Sequence, residues 1–285
     1  MQITAAQVND LRKKTGAGMM DCKKALVEAN GDIEKAIEIL RKKGAAVAAK
    51  RAEKSANEGL ILTKVSDNSM KAAMVEINCE TDFVAKSEDF TKFAGEVLEK
   101  VFQTEPENLE GLYSSAPDIK EKLSDLLGKV GEKIEISRFI VEKTDSGIIV
   151  DYVHMGSKLG VLVSFANVNS GRDELMVLGK DIAMQVAAMK PLTVKREDVP
   201  NDVIEKEMDI YKELARKEGK PENILEKIAT GRLNKFYAEN CLVEQAFIKD
   251  NTKTVGDLIK EFNKKHNSQV MISHFRRFHL SDEIK

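Results

Sequence analysis

The order of hydrophobic patterns occurs twice along this chain, and that repeat limits the fold more than any other feature. Residues 59–65 and 70–78 alternate with period two around Asp67-Asn68, which reads as a β-hairpin. Residues 87–102 switch to helical period and put Phe90, Phe93, Ala94, Val97 and Val101 on one face. A looser helical stretch over 118–130 follows Pro117, and 134–141 reads as a return strand. The series then begins again. Residues 147–153 and 159–167 form a second strand pair, followed by a helix carrying Leu175, Leu178, Ile182, Val186 and Met189. Near the end, Ile272-Ser273-His274-Phe275 matches Ile136-Ser137-Arg138-Phe139. The repeat predicts an α+β fold with two related core subdomains, each a hairpin, a helix and a return strand.

Two segments lie outside the repeat. Thr4-Ala5-Ala6-Gln7 has the form of a capping box, and Val8 and Leu11 follow at helical spacing. The glycines of Thr15-Gly16-Ala17-Gly18 break that helix. A second helix runs from about 19 to 29, with Ala25 and Leu26 inward, and Asn30-Gly31 stops it. Asp32 caps a third, whose Ile33, Ala36, Ile37 and Leu40 share a face. This predicts a three-helix head over 1–55, with the Ala- and Lys-rich 41–56 as a helical or extended linker. The second segment is an insertion at about 190–250. Its arms, 202–217 and 222–237, flank Gly219-Lys220-Pro221 and carry Ile204, Met208, Leu214 and Ile224, Ile228, Leu233. Equal arms about such a turn predict an antiparallel helical hairpin. The expected units are 1–55, 56–143 and 144–285.

Composition removes several classes of function. No apolar run reaches the ~20 residues a membrane span needs, and the N-terminus lacks the basic-then-apolar form of a secretory signal. Cys22, Cys79 and Cys241 are far apart and form no C-x-x-C, which points to a reducing cytoplasm and away from disulfides or zinc. The net charge of −2 hides a basic head, with 12 Lys+Arg against 7 Asp+Glu in residues 1–55 and 33 against 40 in the rest. A basic head on an acidic body fits nucleic acid or an acidic protein partner. No phosphate-loop motif, dinucleotide fingerprint or nucleophile elbow occurs, and His274 and His279 are badly spaced for a shared metal. No motif points to a metal, a cofactor or an enzyme, although catalytic groups can converge from distant positions.

One short stretch has the wrong residue type for its place. Thr81-Asp82-Phe83-Val84-Ala85-Lys86 lies at the corner between a strand and a helix, where Gly, Asn or Ser would be usual. Phe83 either turns inward to close the core or waits for a partner that takes it in. On these six residues alone, the inward reading is preferred.

Two longer motifs change that balance. The run from Leu11 through Thr15-Gly16-Ala17-Gly18-Met19-Met20-Asp21-Cys22-Lys23-Lys24 to Leu26, and the run Glu76-Ile77-Asn78-Cys79-Glu80 leading into Thr81–Lys86, resemble the two signatures of the bacterial elongation factor Ts family. They are long, idiosyncratic and in the family's order. The resemblance extends over nearly the whole chain, including Thr254-Val255-Gly256-Asp257-Leu258. It implies a head like ubiquitin-associated domains, two similar α+β subdomains and an inserted coiled-coil hairpin. It also implies a guanine-nucleotide exchange factor of translation elongation. Such a factor binds elongation factor Tu, GDP-bound or nucleotide-free, without touching the nucleotide, and involves neither membrane nor nucleic acid.

The resemblance implies roles for particular residues. Thr81, Asp82, Phe83 and Val84 match a wedge that intrudes beside the partner's nucleotide site and displaces its magnesium, and on this ground Phe83 points outward. Arg12, Met19, Met20 and Lys23 match head contacts, although one Met could equally pack the small bundle. Val130 with Gly131, His154 with Gly156, and Ile248 match further contacts. Many family members continue into a further helix that touches the partner; no residue here matches it, and that contact is not carried over. The rivals are a nucleic-acid binder using the basic head, with steep salt dependence, and a hydrolase with an unseen convergent pocket.

Overall fold

The computed structural model of the chain describes residues 3–51 and 53–283. Residues 1, 2, 52, 284 and 285, which fall in the expected head, its linker and the last unit, lie outside the described residues.

The head consists of α1 (Ala5–Thr15), α2 (Met19–Glu28) and α3 (Ile33–Arg51). The Thr4–Gln7 capping box forms, and Asp32 accepts from the Lys35 amide as a cap. Val8, Leu11, Cys22, Ala25, Leu26 and Ala36 fill the space between the helices. The expected linker is mostly a continuation of α3.

Two antiparallel sheets form the centre. The first is β1 (Glu58–Val65), β2 (Lys71–Cys79) and β3 (Ile134–Lys143), in the order β1-β2-β3. Between its second and third strands run α4 (Asp82–Ala85), α5 (Glu88–Thr104), α6 (Leu109–Ser115) and α7 (Pro117–Val130). The second sheet has the equivalent order, β4 (Ile148–Val153), β5 (Leu159–Ala166) and β8 (Met271–His279). Between β5 and β8 lie α8 (Arg172–Met189), the helical hairpin α9 (Asn201–Lys217) and α10 (Glu222–Asn240), the ribbon β6 (Ala246–Phe247) and β7 (Asp250–Thr254), and α11 (Val255–His266). Among the described residues, no helix is long and apolar enough to cross a membrane.

The matched tetrapeptides have a shared structural role. In β3 the pairing slips between Glu76↔Arg138 and Ile77↔Ile136, which leaves Ser137 as a bulge. In β8 it slips between Ser164↔His274 and Phe165↔Ile272, which leaves Ser273 in the same place. Both serines donate across the bulge, Ser137 to Asn78 Oδ1 (2.5 Å) and Ser273 to Ser164 O (2.9 Å).

The sheets stack against each other, with helices on their outer faces. That is why β2 is buried on both sides. Ala73, Val75, Ile77 and Cys79 face α5 and α7, while Ala72 and Met74 meet Ile149, Leu162 and Phe278 of the other sheet. Alternation alone would send Glu76 and Asn78 to water, but they lie between the sheets. Glu76 is 1% exposed and pairs with Arg138 at 2.7 Å. Burial pushes its carboxyl above the ordinary carboxylate range, opposed by the Arg138 hydrogen bond and charge.

Three expected faces need correction. Met189 ends α8 beyond the sheet and is exposed. Leu214 and Ile224 are also exposed; the seam of the helical hairpin buries Ala215, Leu225 and Ala229 instead. The seam runs along one stripe of a helix that carries apolar residues on two.

Candidate functional site

The six-residue corner is a single helical turn between two rigid elements. β2 ends at Cys79, Thr81 is the N-cap of α4, and Ser87 caps α5. A turn this short cannot hold itself together, so neighbours fix it. The Thr81 N–H donates to Glu132 Oε2 (3.2 Å) and its hydroxyl donates to Glu132 Oε1 (3.0 Å). The same hydroxyl accepts from the Val84 N–H at 3.4 Å. The Cys79 thiol donates to Thr81 O at 3.2 Å. Burial, with the Glu132 charge nearby, pushes that thiol up to about 12, so it stays a protonated donor.

The preceding residue is tied as firmly. Glu80 accepts from the Lys133 amide (2.6 Å) and from Arg51 at the end of α3 (2.7 Å). These two contacts, the amide first, hold its carboxyl below the usual range. The two loops therefore clasp each other, Glu80 to Lys133 and Glu132 to Thr81. Ala85 is buried and Val84 packs on the core, whereas Phe83 is 83% exposed. The inward reading of Phe83 is thus replaced by an outward one. Asp82 beside it pairs with Lys86 at 2.7 Å, and this hydrogen bond lowers its carboxyl.

Several of the other sequence-predicted residues adjoin this corner. Val130 ends α7, and Gly131 caps it at φ 73°, a left-handed conformation that favours glycine. Among the described residues, and apart from chain neighbours, no atom lies within 4 Å of where a Gly131 Cβ would be, nor of one on Gly156 (φ 87°). Both turns offer open backbone. His154 and Gly156 belong to the β4–β5 turn, which is bound to β1 by Ile61 N–H to Ser157 O (2.6 Å) and by Lys158 to Glu58 (2.7 Å). Glu58 in turn lies opposite Cys79 in the sheet. His154 is exposed, with Nδ1 2.8 Å from the Tyr152 hydroxyl, and Met155 beside it is 91% exposed.

On the other side, the head joins the row at its glycine turn. A Cβ on Gly16 would sit 2.7 Å from Lys129 Cε, one residue before Val130. Met19 and Met20 follow that turn and are 56% and 61% exposed, so neither packs the bundle. Arg12 and Lys23 are exposed on α1 and α2. Ile248 stands apart on the β6–β7 turn, exposed, its amide donating to Gln185 of α8 at 2.8 Å. Sequence reasoning missed Glu132, Glu80, Arg51 and Cys79. Glu132 acts on a residue 51 positions earlier, a pairing that no local spacing reveals.

The sequence has counterparts among known proteins. The family model described as elongation factor TS matches residues 80–282, from the base of the corner to just past the last strand. Elongation factor Ts of Chloroherpeton thalassium is 47% identical over 289 residues, covering 99% of both chains. That of Chlorobium limicola is 47% identical over 288 residues, again covering 99% of both chains. That of Clostridium perfringens is 43% identical over 287 residues, covering 99% of this chain and 94% of its own. A bound open row of backbone and apolar side chains, the two signature motifs and this full-length similarity lead to one conclusion: the chain belongs to the elongation factor Ts family.

Proposed function

We propose that this chain is a guanine-nucleotide exchange factor that binds elongation factor Tu, in its GDP-bound and nucleotide-free forms, and speeds GDP release in the cytoplasm. Asp82 and Phe83 act as a wedge. Phe83 enters a pocket that opens when the partner's magnesium-binding loops move, and loss of magnesium removes the cation that balances the GDP phosphates. This chain makes no contact with the nucleotide and performs no bond chemistry. Linkage makes the effect reciprocal: as the factor weakens GDP, GDP weakens the factor equally, so the factor is released for another round.

The observation that carries this reading is the exposure of Phe83, 83%, on a corner tied down on both sides. Thr81 and Val84 complete the wedge. Val130, Gly131, His154 and Gly156 flank it as contacts, Arg12, Met19, Met20 and Lys23 extend the surface onto the head, and Ile248 provides a separate hold. We divide the chain accordingly into a head (1–55), a wedge-bearing subdomain (56–143) and a second subdomain (144–285) with its insertion at about 190–250. The nucleic-acid alternative is weaker because cations of the head already face carboxylates. Arg41 meets Asp125 (3.4 Å) and Glu121 (3.5 Å), Arg51 meets Glu80, and Lys43 meets Asp21.

The test is release of fluorescent GDP from preloaded elongation factor Tu, with and without this protein. Acceleration that saturates with added protein is expected. No acceleration at stoichiometric protein overturns the reading.

A further inference from the structure

We propose that Glu132 is a positioning residue for exchange, setting the direction in which Asp82 and Phe83 leave the fold. The inference rests on the exchange-factor reading above. Phe83 is 83% exposed, so its own packing does little to orient the turn that carries it. Val84 and Ala85 hold the far end of the turn against the core, and at its start Glu132 takes both donors of Thr81, the amide at 3.2 Å and the hydroxyl at 3.0 Å. With its proton directed to the carboxylate, the hydroxyl presents a lone pair to the Val84 N–H. Glu132 thus selects the hydroxyl rotamer that caps α4.

The location of Glu132 adds a second consequence. It directly follows Val130 and Gly131, the open backbone proposed to meet the partner. A partner pressing on that loop therefore acts on Thr81 through one side chain. The reciprocal tie from Glu80 to the Lys133 amide keeps the two loops in register while it does so. Arg51 continues the same tie into α3, so the head is anchored where the wedge begins.

The test measures stimulated GDP release against protein concentration for Glu132→Ala and Glu132→Gln. A lost hydrogen bond to a charged group predicts a maximal rate about tenfold lower for Glu132→Ala, with the half-saturating concentration within about twofold of the unsubstituted protein. Glu132→Gln keeps the side-chain length and one acceptor oxygen, and an intermediate rate is expected. If Glu132 acts through the wedge, the Ala substitution has little further effect in a Phe83→Ala background, since the two losses share one cause. An unchanged maximal rate in Glu132→Ala overturns the proposal, and so does an equal fold-loss with and without Phe83. Should Glu132→Ala lose its folded circular-dichroism signal, Glu132→Gln decides: an unchanged maximal rate overturns the proposal. Failure of the unsubstituted protein to accelerate release is a different result, which defeats the exchange reading and this inference with it.

Discussion

A phenylalanine left in water at the tip of one helical turn does little for the fold that carries it. Phe83→Ala is therefore expected to leave the thermal midpoint within about 2 °C. Burying the ring in a partner is worth roughly 1.5–3 kcal/mol, so stimulated GDP release should slow about tenfold to a hundredfold. Thermal unfolding and GDP release measured on one preparation separate the two effects, and an unchanged release rate would remove Phe83 from the mechanism. At this scale the sequence was informative about residue type and poor about direction. The oddity of Phe83 was visible, but six residues favoured burial, and only longer motifs reversed that. Met19 and Met20 looked alike from sequence, and either could have packed the bundle. Both are outside because Cys22, Ala25 and Leu26 already fill it. Glu76 and Asn78 were legible as the polar half of an alternation. That their face meets a second sheet depends on residues such as Ile149 and Phe278, far along the chain.

Among the elements, those with both a cap and a periodic face in the sequence, such as α1, were the most readable, and α11 carries a capping box of the same kind. The Thr254 amide donates to Asp257 Oδ2 (3.1 Å), its hydroxyl donates to the same oxygen (2.8 Å), and the Asp257 amide donates back to the hydroxyl (3.1 Å). These bonds, with Lys260, lower the Asp257 carboxyl from 3.8 to about 2. A depressed folded value means the contribution to stability is whole above about pH 4 and is lost as pH falls through about 2. Asp257→Asn should therefore narrow the gap to the unsubstituted protein as pH drops over that window, read by denaturant unfolding at each pH. A gap that stays constant with pH would reject this assignment. Elements without such signals were missed. The short α6 depends on the Asn108 side chain accepting from Gly111, and β6–β7 on pairing between segments too short to show a period. In the helical hairpin, Ile224 and Leu225 are adjacent, so spacing could not decide which lies in the seam.

For the whole molecule, the two stacked sheets matter most, and their join contains a charge. Arg138→Ala would leave Glu76 buried without its partner. A loss of about 3 kcal/mol is expected at pH 7. Burial already raises the Glu76 carboxyl, and loss of Arg138 raises it further. The penalty should therefore be small below about pH 4.5, where folded and unfolded chains are both protonated, and grow as pH rises above it. Urea unfolding at pH 4.5 and pH 7 measures the difference, and an equal loss at both would contradict it. The repeated order of hairpin, helix and return strand was legible, because strand and helix periods are local. How the halves sit together was not, and neither was the docking of the head. There α3 crosses α7 so closely that a Cβ on Gly44 would lie 2.4 Å from Ser124 O. The order of strands also bears on how the chain is made. The first sheet is complete once residue 143 has emerged, but β5 waits for β8, and Ala166 and Met271 are 105 positions apart. At about 5–20 residues per second, a newborn chain carries an open strand edge for roughly 5–20 s. That interval, rather than any part of the finished molecule, is when this protein is most exposed to mispairing with its neighbours on a polysome.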